Sequence, residues 1–174
     1  MDTASFIRRF VGLILLAAFQ IFLLNRIALF GYVTPLFYIW MIARFDSSMS
    51  RSGVLLWAFL LGLVIDMSSG TPGLNAASAT LLAMFQPALV KMFVPLERHV
   101  VLVPGPSSMG GRAFAGYLLL LTAIHHTTYF ILRSIPLGDW TVIILKIVLS
   151  TLLTFVFMLV AGMFTSGTQG YKHS

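Results

Sequence analysis

Charged and strongly polar side chains are so sparse in this chain that each one inside an apolar run needs a reason. Asp66 stands in the run LLGLVIDMSSG. A carboxylate held at mid-bilayer depth costs roughly 2.5–3.5 kcal/mol, and less near an interface. Ala58, Gly62 and Asp66 follow at four-residue intervals, which puts two small side chains and the carboxylate on one helix face that should pack on protein. Such a carboxylate serves as a ligand or coupling group, or as a structural ion pair or cap. The structural reading is favoured, because nothing nearby identifies a substrate.

His125 and His126 lie within another apolar run. The second histidine lines up with Thr122, Tyr129 and Arg133 at three- and four-residue spacing, a stripe suited to hydrogen bonds between helices. Adjacent histidines point in different directions, and the HExxH spacing is absent, so no metal is expected. Lys146 opens a further stripe, continuing through Ser150, Thr154, Met158 and Gly162, that should face a bundle interior. A sole intramembrane partner for Lys146 would be Asp66, and an ion pair between them is expected, with snorkelling of Lys146 to the interface as the alternative. There is no GxSxG, no Walker loop, no intramembrane aspartate pair and no cysteine, which argues against enzymatic, thiol or disulfide chemistry.

The elements that position these residues follow from composition. Of 174 residues, 59% are hydrophobic and 9% charged, too few charges to build a water-facing surface. Six apolar stretches, at 10–25, 27–43, 53–67, 76–94, 113–132 and 140–163, approach the roughly 20 residues that a spanning helix needs. The expected fold is an all-α integral membrane protein, a six-helix transmembrane bundle forming one domain over 1–174. Gly31 and Pro35 interrupt the second stretch, whose later part could be a half-helix or re-entrant segment. The first stretch follows Arg8 and Arg9 without a small-residue cleavage pattern and reads as a retained helix.

Six spans with both termini inside place Arg8, Arg9, Arg44, Arg51, Lys91, Arg98, Arg112 and Lys172 in the cytoplasm, eight of the 11 Lys and Arg. The sequence pI near 10.2 is therefore a topology signal; the basic residues are scattered and form no nucleic-acid patch. The Pro- and Ser-bearing segment 95–112 reads as a cytoplasmic connector. This topology gathers Gln20, Asn25, Asp66, Asn75, His125, His126 and Lys146 in the outer half of the bilayer. From that set, Gln20, Asn25, Asp66, Asn75, His126 and Lys146 are expected to line an outer polar pocket or a partner contact.

Gly62-Leu63-Val64-Ile65-Asp66, followed by Thr71-Pro72-Gly73-Leu74-Asn75-Ala76, resembles the signature of the bacterial rod-shape-determining MreD family. Gln20, Asn25, Gly31, Pro35 and the overall length support the resemblance, which covers roughly residues 10–160. It implies a non-enzymatic inner-membrane subunit that supports lateral peptidoglycan synthesis and needs no cofactor. The implied partner is MreC, with MreB filaments, a penicillin-binding transpeptidase and RodA reached indirectly. The family is also similar in fold to the S components of energy-coupling-factor transporters, and the alternative is a solute-binding membrane subunit of that kind. Physically, Pro72 and Gly73 should form a turn, and Asn75 should cap the fourth helix.

Overall fold

Local capping and turn chemistry sets where the helices of this computed structural model begin and end. It describes residues 3–26, 33–94, 100–134, 139–165 and 172–173. In chain order these form α1 (Thr3–Phe22), a 3-10 turn (Leu24–Arg26), a second 3-10 turn (Phe37–Ile39) leading into α2 (Trp40–Ala43), and α3 (Arg51–Ser69). Then follow α4 (Leu74–Phe93), β1 (Val100–Val101), α5 (Pro106–Met109), α6 (Gly111–Ser134), α7 (Trp140–Thr165) and β2 (Lys172–His173). The side chain of Ser50 starts α3 by accepting the Gly53 N–H at 3.2 Å, and Gly70, in the left-handed region with φ 63°, ends it.

Four helices, α3, α4, α6 and α7, are long and apolar enough to cross a membrane, which is compatible with a multi-pass membrane protein. The sequence-expected bounds differ from theirs by at most two residues, mostly by being short, with the expected end of α4 one residue too long. α3 and α4 form an antiparallel hairpin, α6 packs on α4, and α7 packs on α6. α1 lies against α3 and presents Phe6, Phe10, Ile14 and Leu15 outward, while α7 presents Ile144, Val148, Leu152 and Val156. Contiguous exposed apolar faces of this kind are compatible with a lipid surround.

The second apolar stretch departs from its expected span. Residues 27–32 lie outside the described part; from residue 33 to 36 the chain is non-helical, and the helical turns that follow reach only from Phe37 to Ala43. Pro35 has no N–H to donate, and the residue before a proline is biased away from helix. Yet the segment still runs the depth of the bundle. Near its start the Tyr38 hydroxyl bonds Asn75 at the α3–α4 turn, and further on the Tyr117 hydroxyl donates to the Ala43 carbonyl at 2.9 Å and Gln86 Nε2 to the Phe45 carbonyl at 3.2 Å. At the opposite end Asp46 pairs with Arg9 at 2.7 Å. Four non-helical residues at ~3.3 Å and seven helical ones at ~1.5–2 Å cover about 25 Å, most of a hydrocarbon core.

Non-helical backbone survives at membrane depth only where protein surrounds it. Leu36, Tyr38, Ile39, Ile42, Ala43 and Phe45 are all buried, and neighbouring side chains answer the exposed backbone groups. Thr34 N–H donates to Ser150 Oγ at 3.0 Å, Leu36 N–H to Thr154 Oγ1 at 3.2 Å, and Tyr38 N–H to Gln20 Oε1 at 3.3 Å. Gln20 Nε2 in turn donates to the Pro35 carbonyl at 2.8 Å. The hydroxyls of the polar α7 stripe thus replace the backbone partners that a continuous helix would have supplied.

Stranding one buried donor costs about 1–3 kcal/mol. The pair Ser150→Ala and Thr154→Val is therefore expected to lower the stability of the purified protein by about 2–5 kcal/mol in denaturant unfolding in detergent. A wild-type unfolding midpoint in the double variant would refute the assigned role.

The end of the bundle opposite the α3–α4 turn is tied together by its loops. Arg44 Nη1 donates to the Pro104 carbonyl at 2.6 Å, and its guanidinium lies 5.7 Å from the centre of the Trp40 ring. Ser47 and Leu102 exchange two bonds of 2.9 Å, one from Ser47 N–H to the Leu102 carbonyl and one from Leu102 N–H to Ser47 Oγ. β1 and β2 pair antiparallel, Val100 with His173 and Val101 with Lys172. The described part of 95–112 is thus folded against the bundle, more than the connector expected from its Pro and Ser content.

Candidate functional site

The turn between α3 and α4 is built around one carboxylate. Asp66 is 3% exposed, in the last turns of α3. Its Oδ1 accepts from Asn75 N–H, from Asn75 Nδ2 and from the Thr71 hydroxyl, each at 2.9 Å, and its Oδ2 accepts from Ala76 N–H at 2.9 Å. Asn75 and Ala76 are the second and third residues of α4, whose N–H groups have no partner within the helix. The residue at the head of α4 is Gly73, which has no side chain to cap with. Asp66 therefore caps α4 from the preceding helix, with its negative charge at the favourable end of the helix dipole.

The remaining residues of the hairpin make that geometry possible. Leu74 N–H donates to the Thr71 carbonyl at 3.3 Å across Pro72 and Gly73, and Gly73 has φ 81° and ψ −7°, the third position of a type II turn. Gly62, one helical turn before Asp66, lets the two helices touch: a Cβ there would lie 2.5 Å from Ala76 Cα and 2.6 Å from the Asn75 carbonyl oxygen. The Ala58, Gly62 and Asp66 face predicted to pack on protein is buried at Ala58 and meets the start of α4 at Gly62 and Asp66.

Two sequence expectations are corrected here. Asn75 does not cap α4; its amide bridges Asp66 and the bundle interior, since its Oδ1 accepts the Tyr38 hydroxyl at 3.1 Å. Nor does Asp66 pair with Lys146. Among the described residues the ion pair is Arg9 with Asp46, while both oxygens of Asp66 are taken by donors of its own hairpin. A carboxylate with two aligned backbone donors nearby needs no ammonium group from another helix.

Of the six expected pocket residues, Gln20, Asn25, Asp66 and Asn75 do converge. Gln20 Nε2 donates to Asn25 Oδ1 at 3.0 Å, and Asn25 Nδ2 to Ser69 Oγ at 2.9 Å, so the end of α1 is joined to the end of α3. His126 belongs to a neighbouring cluster: its Nδ1 lies 2.9 Å from the Thr122 carbonyl and its Nε2 3.2 Å from Thr154 Oγ1. Lys146 is half-buried on α7 and is not among the groups bonded to Asp66. Tyr38 was missed, because in the run LFYIW it reads as one more core aromatic. It links the two clusters, with its hydroxyl 2.9 Å from His125 Nε2.

The arrangement is closed upon itself. Among the described side chains, His125 Nδ1 and Thr151 Oγ1 are the buried polar atoms without a hydrogen-bond partner, and no group of three His, Cys, Asp or Glu is placed to hold a metal ion. The network joins α1, α3, α4, α6, α7 and the second crossing through buried hydrogen bonds, which rigidifies one end of the bundle. No protein-family model, curated protein or solved structure matches this chain.

Proposed function

We propose that this chain is a non-enzymatic membrane scaffold of the MreD type, acting with MreC in the complex that supports lateral peptidoglycan synthesis and cell shape. The observation that carries the reading is the hairpin from Gly62 to Ala76. Five residues of the MreD-like signature, Gly62, Asp66, Pro72, Gly73 and Asn75, build it, with close approach at Gly62, the remote cap at Asp66, the turn at Pro72 and Gly73, and the bridge at Asn75. A rigid, preorganised end suits a surface that receives another protein, since little ordering is needed on contact.

In this proposal the chain crosses the bacterial inner membrane six times, five times as a helix and once as the broken segment 33–46. The α3–α4 turn faces outward, and the end carrying Arg8, Arg9, Arg44 and Arg51 faces the cytoplasm together with both termini. Lipid covers the apolar faces of α1 and α7. The alternative, a solute-binding subunit like the S components, is weakened by the same geometry. Four of the side chains that would have lined an outer pocket, Gln20, Asn25, Asp66 and Asn75, are held in one hydrogen-bond network, and the second crossing is buried among the helices.

Depletion of the protein in its own host is expected to turn rods into spheres, with MreC recovered alongside it from detergent extracts. Depleted cells that keep their rod shape and lose uptake of a small solute would reject the scaffold and favour the transporter subunit.

A further inference from the structure

The hydrogen-bond network determines where the protons of the two buried histidines must be. Asp66 Oδ1 accepts from the Asn75 backbone N–H, so the side-chain group that Asn75 turns toward this carboxylate is its amide nitrogen. Asn75 Oδ1 then faces Tyr38, and a carbonyl oxygen can only accept. The Tyr38 proton is committed to Asn75. The Tyr38 oxygen must in consequence accept from His125, whose Nε2, 2.9 Å away, carries the hydrogen. In a neutral imidazole that leaves Nδ1 of His125 as a bare acceptor.

His126 is fixed the other way round. Its Nδ1 faces the Thr122 carbonyl at 2.9 Å and must donate. Its Nε2 accepts from Thr154 Oγ1, a hydroxyl whose oxygen is already occupied by the Leu36 N–H. Adjacent histidines on one helix are thus held in opposite tautomers, one by the α3–α4 turn and the other by the second crossing.

We infer that the Nδ1 atom of His125 is a built acceptor site inside the bundle that holds one small neutral hydrogen-bond donor, a single water molecule. The residue is 0% exposed, and its Nδ1 has no protein partner. The ring is held by the bond between its Nε2–H and Tyr38, and the Tyr38 and His126 rings stand nearly perpendicular to it at centroid distances of 5.4 and 5.6 Å. Thr151 Oγ1 is the other buried polar atom without a partner among the described side chains. A buried acceptor of this kind is met by an ordered water as a rule.

The test is a two-bond proton–nitrogen correlation spectrum of the full chain, labelled with nitrogen-15 histidine and reconstituted in lipid nanodiscs. His125 should be protonated at Nε2 and His126 at Nδ1, each by ~10-fold or more over the other tautomer, the preference that one net hydrogen bond supports. The Hε1 proton of His125 should show a cross-peak to water. Tyr38→Phe removes the acceptor of the Nε2 proton and should move the His125 proton to Nδ1 while leaving His126 unchanged. Protonation of His125 at Nδ1 in the unaltered protein overturns the inference, as does a bare Nδ1 with no water signal. If Tyr38→Phe fails to fold, the spectrum of the unaltered chain decides alone.

Discussion

A methyl group at position 62 should pry α3 away from α4. The added carbon of Gly62→Ala would lie 2.5 Å from Ala76 Cα, 2.6 Å from the Asn75 carbonyl oxygen and 2.7 Å from Ala76 N. All three are backbone atoms, so no side chain can swing aside, and the shift must be taken by a helix whose first turn is fixed on Asp66. Overpacking usually costs 1–3 kcal/mol, and this contact belongs at the upper end, about 3 kcal/mol. Gly12→Ala supplies the control, because a Cβ there meets nothing within 4 Å and should be neutral or slightly stabilising in α1. Denaturant unfolding of both variants in the same detergent reads the difference. Equal stability of the two variants would mean that the helices do not approach as closely as described.

The second large effect is expected from Asp66→Ala. It strands the buried N–H groups of Asn75 and Ala76 and takes one acceptor from the Thr71 hydroxyl and the Asn75 amide, which keep only the 3.0 Å bond to each other. With about 1–3 kcal/mol for each stranded donor and some recovered by relaxation, a loss of about 4 kcal/mol is expected, and little of it should return in Asp66→Asn, which presents one oxygen where two are used. Lys146→Met should neither worsen nor relieve the Asp66→Asn defect, since the carboxylate's partners are in its own hairpin. Recovery of folded protein in the double variant would restore the ion pair that charge placement alone suggested.

Much of this architecture was legible because apolar run length and small-residue spacing are local signals. The stretches that became α3, α4, α6 and α7 stood out by length, and the Ala58, Gly62 and Asp66 face followed from a four-residue period. The Ser150 and Thr154 stripe was recognised as inward-facing, yet its purpose was hidden, because its partners are backbone groups 116 and 118 residues away. No periodicity reports on a contact between a side chain and a distant N–H. The Asp66–Lys146 pairing failed for a related reason: charge complementarity ignored the backbone donors of the next helix, which lie nearer and are already aligned. Tyr38 shows the same blindness, since an aromatic in a hydrophobic run carries no mark of the hydrogen bond it will make.

The broken crossing has a consequence for how the chain is made. A stretch of seven helical residues is too short to partition into lipid by itself, and the acceptors for Thr34 and Leu36 belong to the last long helix. Ribosomes add about 5–20 residues each second, so tens of residues and several helices emerge while these N–H groups have only water or the insertion machinery for company. The second apolar stretch is synthesised early and finished late. The bonds of Thr34 and Leu36 to Ser150 and Thr154 can form only once α7 has arrived.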